Sequence, residues 1–280
     1  MPRSGTTSRN AEVPELRLEG LVLRSTALGE SDRLMTLLSG QEGVTRLAVP
    51  GARRPRSSLA AAVPMVHLQL QVGGSRGLRR VRQLKVIRSF ASVGQRLETL
   101  AGAQALAELC LKLVAGDDSA SGMLATMVLH LERLEGVARP EAQRPEALAI
   151  TVQAAVQLLA IGGFALPLQT CARSGRLLDP PLGQWEWRCS LIPAEGLVIG
   201  AVPGARLQLN PSELALLQRL LRPTLPRRRD GSLLGPTGVW LHLLDGVDLW
   251  CREHLGRAPQ AFRLLRSGFD PMPVPGSPIR

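Results

Sequence analysis

The sequence predicts an α+β chain, in which a small five-stranded N-terminal β-barrel is followed by an α-helical domain carrying one inserted β-hairpin. Three observations predict it. Between Leu16 and Ile87 the apolar residues come in short runs or alternate with period two, and glycine or proline interrupts them about every ten residues. From Ser92 the apolar spacing changes to three and four, which is helical. Between 168 and 203 that spacing breaks, and alternation returns around Gly196. At 280 residues the chain is long enough for one or two domains with proper cores. It has no tyrosine and few other aromatics, so those cores are built from Leu, Val, Ile and Ala.

Residues 1–14 contain no apolar run of the kind a secretory signal needs, and they read as a disordered leader. A barrel domain over 15–90 follows. Its strands are expected at Leu16–Arg24, Asp32–Leu38, Val44–Val49, Val66–Val72 and Leu78–Ile87, with turns at Gly40, Gly43, Gly51 and Gly73-Gly74. The fourth, VHLQLQV, alternates cleanly; in the fifth, alternation fails at Arg79-Arg80-Val81. Five short strands in so few residues fit a small Greek-key barrel. The OB-fold is the commonest of that size, and an SH3-like barrel is the alternative.

Charge is concentrated in the same region. Residues 43–97 hold eleven Lys and Arg and no Asp or Glu, which equals the +11 net charge of the whole chain. The cations are Arg46, Arg53, Arg54, Arg56, Arg76, Arg79, Arg80, Arg82, Lys85, Arg88 and Arg96. A general preference for arginine accounts for the residue type but not for the missing acids. Such a field is the footprint of a polyanion, and the guanidinium fork suits phosphate. All of these cations except Arg96, which belongs to the first helix, are candidate nucleic-acid-binding residues. Between 43 and 89 there is no Phe, Trp or Tyr. Bases therefore find no stacking platform there, and the expected contact is with the phosphate backbone.

The run GLVLRSTALGESDRLMTLLSGQEGVTRLAVPGARRPRSSL resembles the amino-terminal domain of the RecO family of bacterial recombination mediators. The pieces that carry the likeness are Gly29-Glu30-Ser31-Asp32-Arg33, Gly43, and Gly51-Ala52-Arg53-Arg54 with Ser57 soon after, in that order and spacing. The resemblance implies an OB-fold and a protein that binds single- and double-stranded DNA, anneals complementary strands and helps load the recombinase onto coated single strands. It also implies two partners, RecR and the carboxy-terminal tail of single-strand-binding protein, and a site of action in the cytoplasm at the nucleoid.

The helical domain is expected over 91–268, with helices at Arg96–Val114 (stopped by Gly116-Asp117-Asp118), Ser121–Leu134, Pro145–Ile161, Pro211–Leu221 and Val239–Leu255, and a likeness to the family's terminal helices around Phe262 to Leu265. Residues 269–280 read as a disordered tail. In the insert, Trp185, Trp187, Cys189 and Leu191 alternate before the turn at Gly196. Several members of the family hold a four-cysteine zinc site in this region. Here only Cys171 and Cys189 stand in it, each without a CxxC partner, so the region reads as a degenerate zinc finger with no metal, packed by its two tryptophans. A set of Cys171, Cys189, Cys251 and His254 is formally available.

No phosphate loop, dinucleotide fingerprint or nucleophile elbow occurs, so neither a cofactor nor catalysis is expected. The four histidines, His67, His130, His242 and His254, read as packed or solvated groups. Four scattered cysteines point to a reducing compartment, and no run approaches the roughly 18 apolar residues of a membrane span. Two other readings stand beside the mediator: an RNA- or ribosome-associated OB-fold protein, and an adaptor whose barrel adds only nonspecific affinity.

Overall fold

The computed structural model describes residues 16–74, 77–114 and 120–269. The expected leader, the tail from 270 onward, Arg76 and the stop at Gly116-Asp117-Asp118 lie outside the described residues. The five N-terminal strands are β1 (Leu16–Leu28), β2 (Asp32–Ser39), β3 (Gly43–Val49), β4 (Val66–Gly73) and β5 (Arg80–Ser89). They pair in the order β1-β2-β3-β5-β4, and β4 pairs back onto β1, so the sheet closes. β3 and β5 run parallel and meet at Ala48 and Arg80; every other pair is antiparallel. Alternation decides which side chains enter the ring. Val66, Leu68, Leu70 and Val72 of β4 point in with Leu18, Val22, Met35, Leu37, Leu47, Val49 and Val81.

Two strands depart from expectation. β1 runs four residues past Arg24, because a bulge at Leu23 shifts the register from Val22 opposite Leu37 to Arg24 opposite Thr36, and pairing then continues to Leu28 opposite Asp32. The polar segment Ser25-Thr26 hides this continuation from a reading of hydrophobicity. β5 begins at Arg80 and not at Leu78, and its irregularities lie at Arg82 and Ile87, which are passed over in the pairing with β4. Both extra residues are exposed, the usual outcome at a bulge.

A 3₁₀ turn (Ala91–Gln95) leads into α1 (Leu97–Leu113), α2 (Ser121–Gly136) and α3 (Arg144–Ile161). From Ala147 to Leu159 every residue of α3 except Gln157 is buried, so this helix is the centre of the domain. Its amides are not orphaned: Gln153 donates to the carbonyls of Arg222 and Thr224, and Gln157 to those of Leu220 and Arg222. The expected hairpin of the insert forms from β6 (Cys189–Ile192) and β7 (Gly196–Ile199), and a third strand, β8 (Leu207–Leu209), too short to leave a periodic signal, pairs on the other side of β6. β6 also starts at Cys189, so Trp185 lies outside it and is 68% exposed, while Trp187 packs partly against the core. Only one of the two tryptophans therefore packs the insert.

α4 (Pro211–Arg219) is opened by a capping box, Asn210 Oδ1 accepting from the Glu213 amide and Glu213 Oε2 from the Asn210 amide, both at 2.9 Å. It ends two residues short of the expected Leu221. α5 (Thr237–His254) buries Trp240, Leu243, Leu244, Val247, Trp250 and Cys251, as their spacing predicts, and α6 (Ala261–Ser267) closes the described chain. The outer face of the barrel joins this core: Leu21, Leu23, Leu38, Met65 and Phe90 are buried in one cluster with the helices. No helix among the described residues is long and apolar enough to cross a membrane.

Candidate nucleic-acid interface

The two sequence pieces that carry the family likeness meet at one end of the barrel. Asp32, the first residue of β2, accepts hydrogen bonds from the Gly51 amide at 2.8 Å and the Ser31 hydroxyl at 2.9 Å. The Arg53 amide donates to the Ser31 carbonyl at 2.9 Å, and its guanidinium Nη1 donates to the Gly29 carbonyl at 2.9 Å. The β1–β2 turn and the β3–β4 loop are thereby fastened together. Gly51 has φ +64, a conformation in which a side chain is strained. The Gly51 amide, followed by the Ser31 hydroxyl, holds the Asp32 carboxyl below the usual carboxylate range; its partial desolvation opposes this, and the charges of Arg54 and Arg80 assist. With the loop fixed, Arg53, Arg54 and Arg56 are exposed at its tip. Arg56 itself adopts φ +59, which costs a residue with a Cβ about 1 kcal/mol.

The other cations divide into two groups. Arg46 is exposed on β3 opposite Thr36, Arg80 is exposed opposite Ala48, and Lys85 is exposed opposite Gln69. Arg82 folds over Gly73, where a side chain in place of the glycine would collide with its guanidinium. Arg79, in contrast, forks onto Glu42 and also donates to the Thr45 hydroxyl at 3.0 Å. Arg88 bridges Glu132 and Glu135 of α2 and lies 5.0 Å from the centre of the Phe90 ring. Arg96 precedes α1 and donates to the carbonyls of Val137, Arg139 and Ala142, just past α2. Not every cation of the run 43–97 is without a carboxylate beside it. Acids outside the run answer Arg79 and Arg88, because folding sets Glu42 and α2 beside them. Reading by local composition also passed over Arg33, whose Nε is buried without a hydrogen-bond partner, and Arg24, which faces Thr36 on the same side of the sheet as Arg46.

Two family models match this chain, Recombination protein O N terminal over residues 13–90 and Recombination protein O C terminal over residues 94–261. The chain belongs to the RecO family. It is 66% identical over 253 residues to the DNA repair protein RecO of Prochlorococcus marinus strain MIT 9303, covering 90% of this chain and 95% of that one. It is 60% identical over 259 residues to the DNA repair protein RecO of Synechococcus sp. strain WH7803, covering 92% and 96%. With that of Synechocystis sp. strain PCC 6803 the identity is 32% over 216 residues, 74% of this chain and 78% of that one. Membership carries a role in DNA repair and recombination.

The described residues of the insert do not fit a four-ligand zinc site. Cys171 and Cys189 are both buried near Ile199, whose amide donates to Cys171 Sγ at 3.4 Å and which pairs with Cys189 across the sheet. Among the described residues no group of three or more His, Cys, Asp or Glu could hold a metal, so Cys251 and His254 do not complete the formal set. Burial disfavours the Cys171 thiolate, but hydrogen bonds from Ser174 and from the Ile199 amide outweigh it and bring that thiol down to about 7, whereas burial pushes Cys189 up to about 12. The helical histidines have partners: His130 with Gln157, His242 with Glu213, and His254 with the Pro193 carbonyl. Burial drives His130 down to about 4, which keeps it neutral.

Proposed function

We propose that the barrel is an OB-fold that grips single- and double-stranded DNA by its phosphates, through Arg46, Arg53, Arg54, Arg56, Arg80, Arg82 and Lys85, and that this grip serves strand annealing. The carrying observation is the fastened loop, which presents three arginines at one end of the barrel with Arg80 nearby. Arg79 and Arg88 contribute less, since their charge is already answered by carboxylates. Arg76 belongs to the same run in the sequence. With no aromatic between 43 and 89, base edges stay free to pair while guanidinium groups screen the repulsion between two strands. We further propose that the protein works at the nucleoid with RecR and the carboxy-terminal tail of single-strand-binding protein, helping the recombinase onto coated strands.

The test is annealing of complementary strands coated with single-strand-binding protein, by the native chain and by a variant with Arg53, Arg54 and Arg56 replaced by alanine. The native chain should anneal them, and the variant should lose annealing and binding together. Annealing that survives the triple substitution would falsify the role given to the loop.

A further inference from the structure

The outer face of β1-β2-β3 does not end where Leu21, Leu23 and Leu38 pack on the helices. Beside them a polar row crosses three strands, Arg24 opposite Thr36 and Thr36 opposite Arg46, the bulge at Leu23 having turned Arg24 to this side. The row floors an open cleft of about 920 Å³. Its far wall is the α1 face bearing Gln104, Glu108 and Lys112 and the turn between α5 and α6 bearing Arg257 and Gln260. Four cations thus converge from four separate elements. The lining includes one carboxylate, Glu108, and it already accepts from the Gln260 amide. Burial is the main cause that lowers the affinity of Lys112 for its proton; the charge of Arg257 adds to it, and Glu108 opposes it.

The cleft is also continuous with the barrel end. One step along the same face lie Thr26, Leu34 and Ala48, and Ala48 is the partner of Arg80. We propose that a single strand leaving the barrel end runs into this cleft, its phosphates held by Arg24 and Arg46 on the floor and by Lys112 and Arg257 on the helical wall. The helical domain then supplies part of the nucleic-acid path. An acidic protein segment is disfavoured because the cations are spread along a track that leads out of the arginine loop. This inference rests on the phosphate-gripping barrel proposed above.

The test is binding of a thirty-nucleotide oligothymidylate across a salt series, with the full chain carrying Arg24→Gln, Lys112→Gln and Arg257→Gln, a set that leaves the loop arginines intact. Each lost phosphate contact removes about 0.7 from the slope of log affinity against log salt, so the slope should shallow by about 2. Raising salt from 50 to 200 mM should then cost the variant about 20-fold less affinity than it costs the native chain. An unchanged slope overturns the cleft path while leaving the barrel reading to the loop variant; if the loop variant also binds normally, the barrel reading itself fails. Loss of an acidic peptide with unchanged oligonucleotide binding would assign the cleft to a protein segment and also overturn the proposal. A second measurement does not depend on losing affinity. All four native cysteines are buried, so Gln104→Cys offers an accessible thiol in the cleft for a photocrosslinker. Capture of the oligonucleotide there is expected, and its absence counts against the path.

Discussion

Asp32 shows how one carboxylate decides the geometry of a cationic site. It accepts from the Gly51 amide and so anchors the loop that displays Arg53, Arg54 and Arg56. Its proton affinity is lowered in the fold, so the ionised form stabilises the loop at pH values above the unfolded carboxylate's pKa of about 3.9, and that contribution is lost as pH falls further through the folded value. Asp32→Ala should therefore speed hydrogen exchange at Gly51 at neutral pH and weaken DNA binding, although the residue is acidic and its removal makes the protein more positive. If binding instead tightened in proportion to the added charge, net charge and not loop geometry would govern the site. In the sequence, Asp32 and Gly51 were visible only as parts of a spaced pattern. Nineteen residues separate the two, and their contact exists because β2 and β3 are antiparallel neighbours with Arg33 opposite Val49.

At the scale of elements, identical side chains take different work according to what folds beside them. Arg96 lies in the same acid-free run as Arg54, yet it is spent on the carbonyls that follow α2. Hydrogen bonds from a charged donor are worth roughly 1.5–3 kcal/mol together with the carbonyls' lost solvation. Arg96→Met should lower unfolding free energy by about 2 kcal/mol in urea titration and leave oligonucleotide affinity at saturating folded protein within twofold. A large drop in affinity without a drop in stability would return Arg96 to the binding surface. The strands and helices themselves were legible wherever period two or period three to four ran for at least seven residues, as in β4 and α5. They were not legible where a bulge broke the phase, as at Leu23 and Arg82, or where the element was three residues long, as in β8.

For the whole molecule the decisive quantity is how many phosphates are held at once. If about six of the proposed barrel cations neutralise phosphates, the slope on a single strand is near −4, or roughly 300-fold lost between 50 and 200 mM salt. Contacts in the cleft would steepen it to about −6. Affinity should depend little on base sequence, since the contact is to the backbone. A slope shallower than about −2, or a marked base preference, would contradict a backbone-reading surface.

The sequence by itself determined the succession of a β region and a helical region, the cations available to a polyanion and the lack of stacking aromatics, because periodicity, composition and charge are properties of neighbours along the chain. Only the tertiary structure decided which of those cations acquire carboxylate partners. Glu42, Glu132 and Glu135 reach Arg79 and Arg88 through strand pairing and helix docking, and Arg24, Lys112 and Arg257 come from three distant segments to face one cleft. A charge acts through space over a few ångströms, and distance along the chain does not report that distance until the chain has folded.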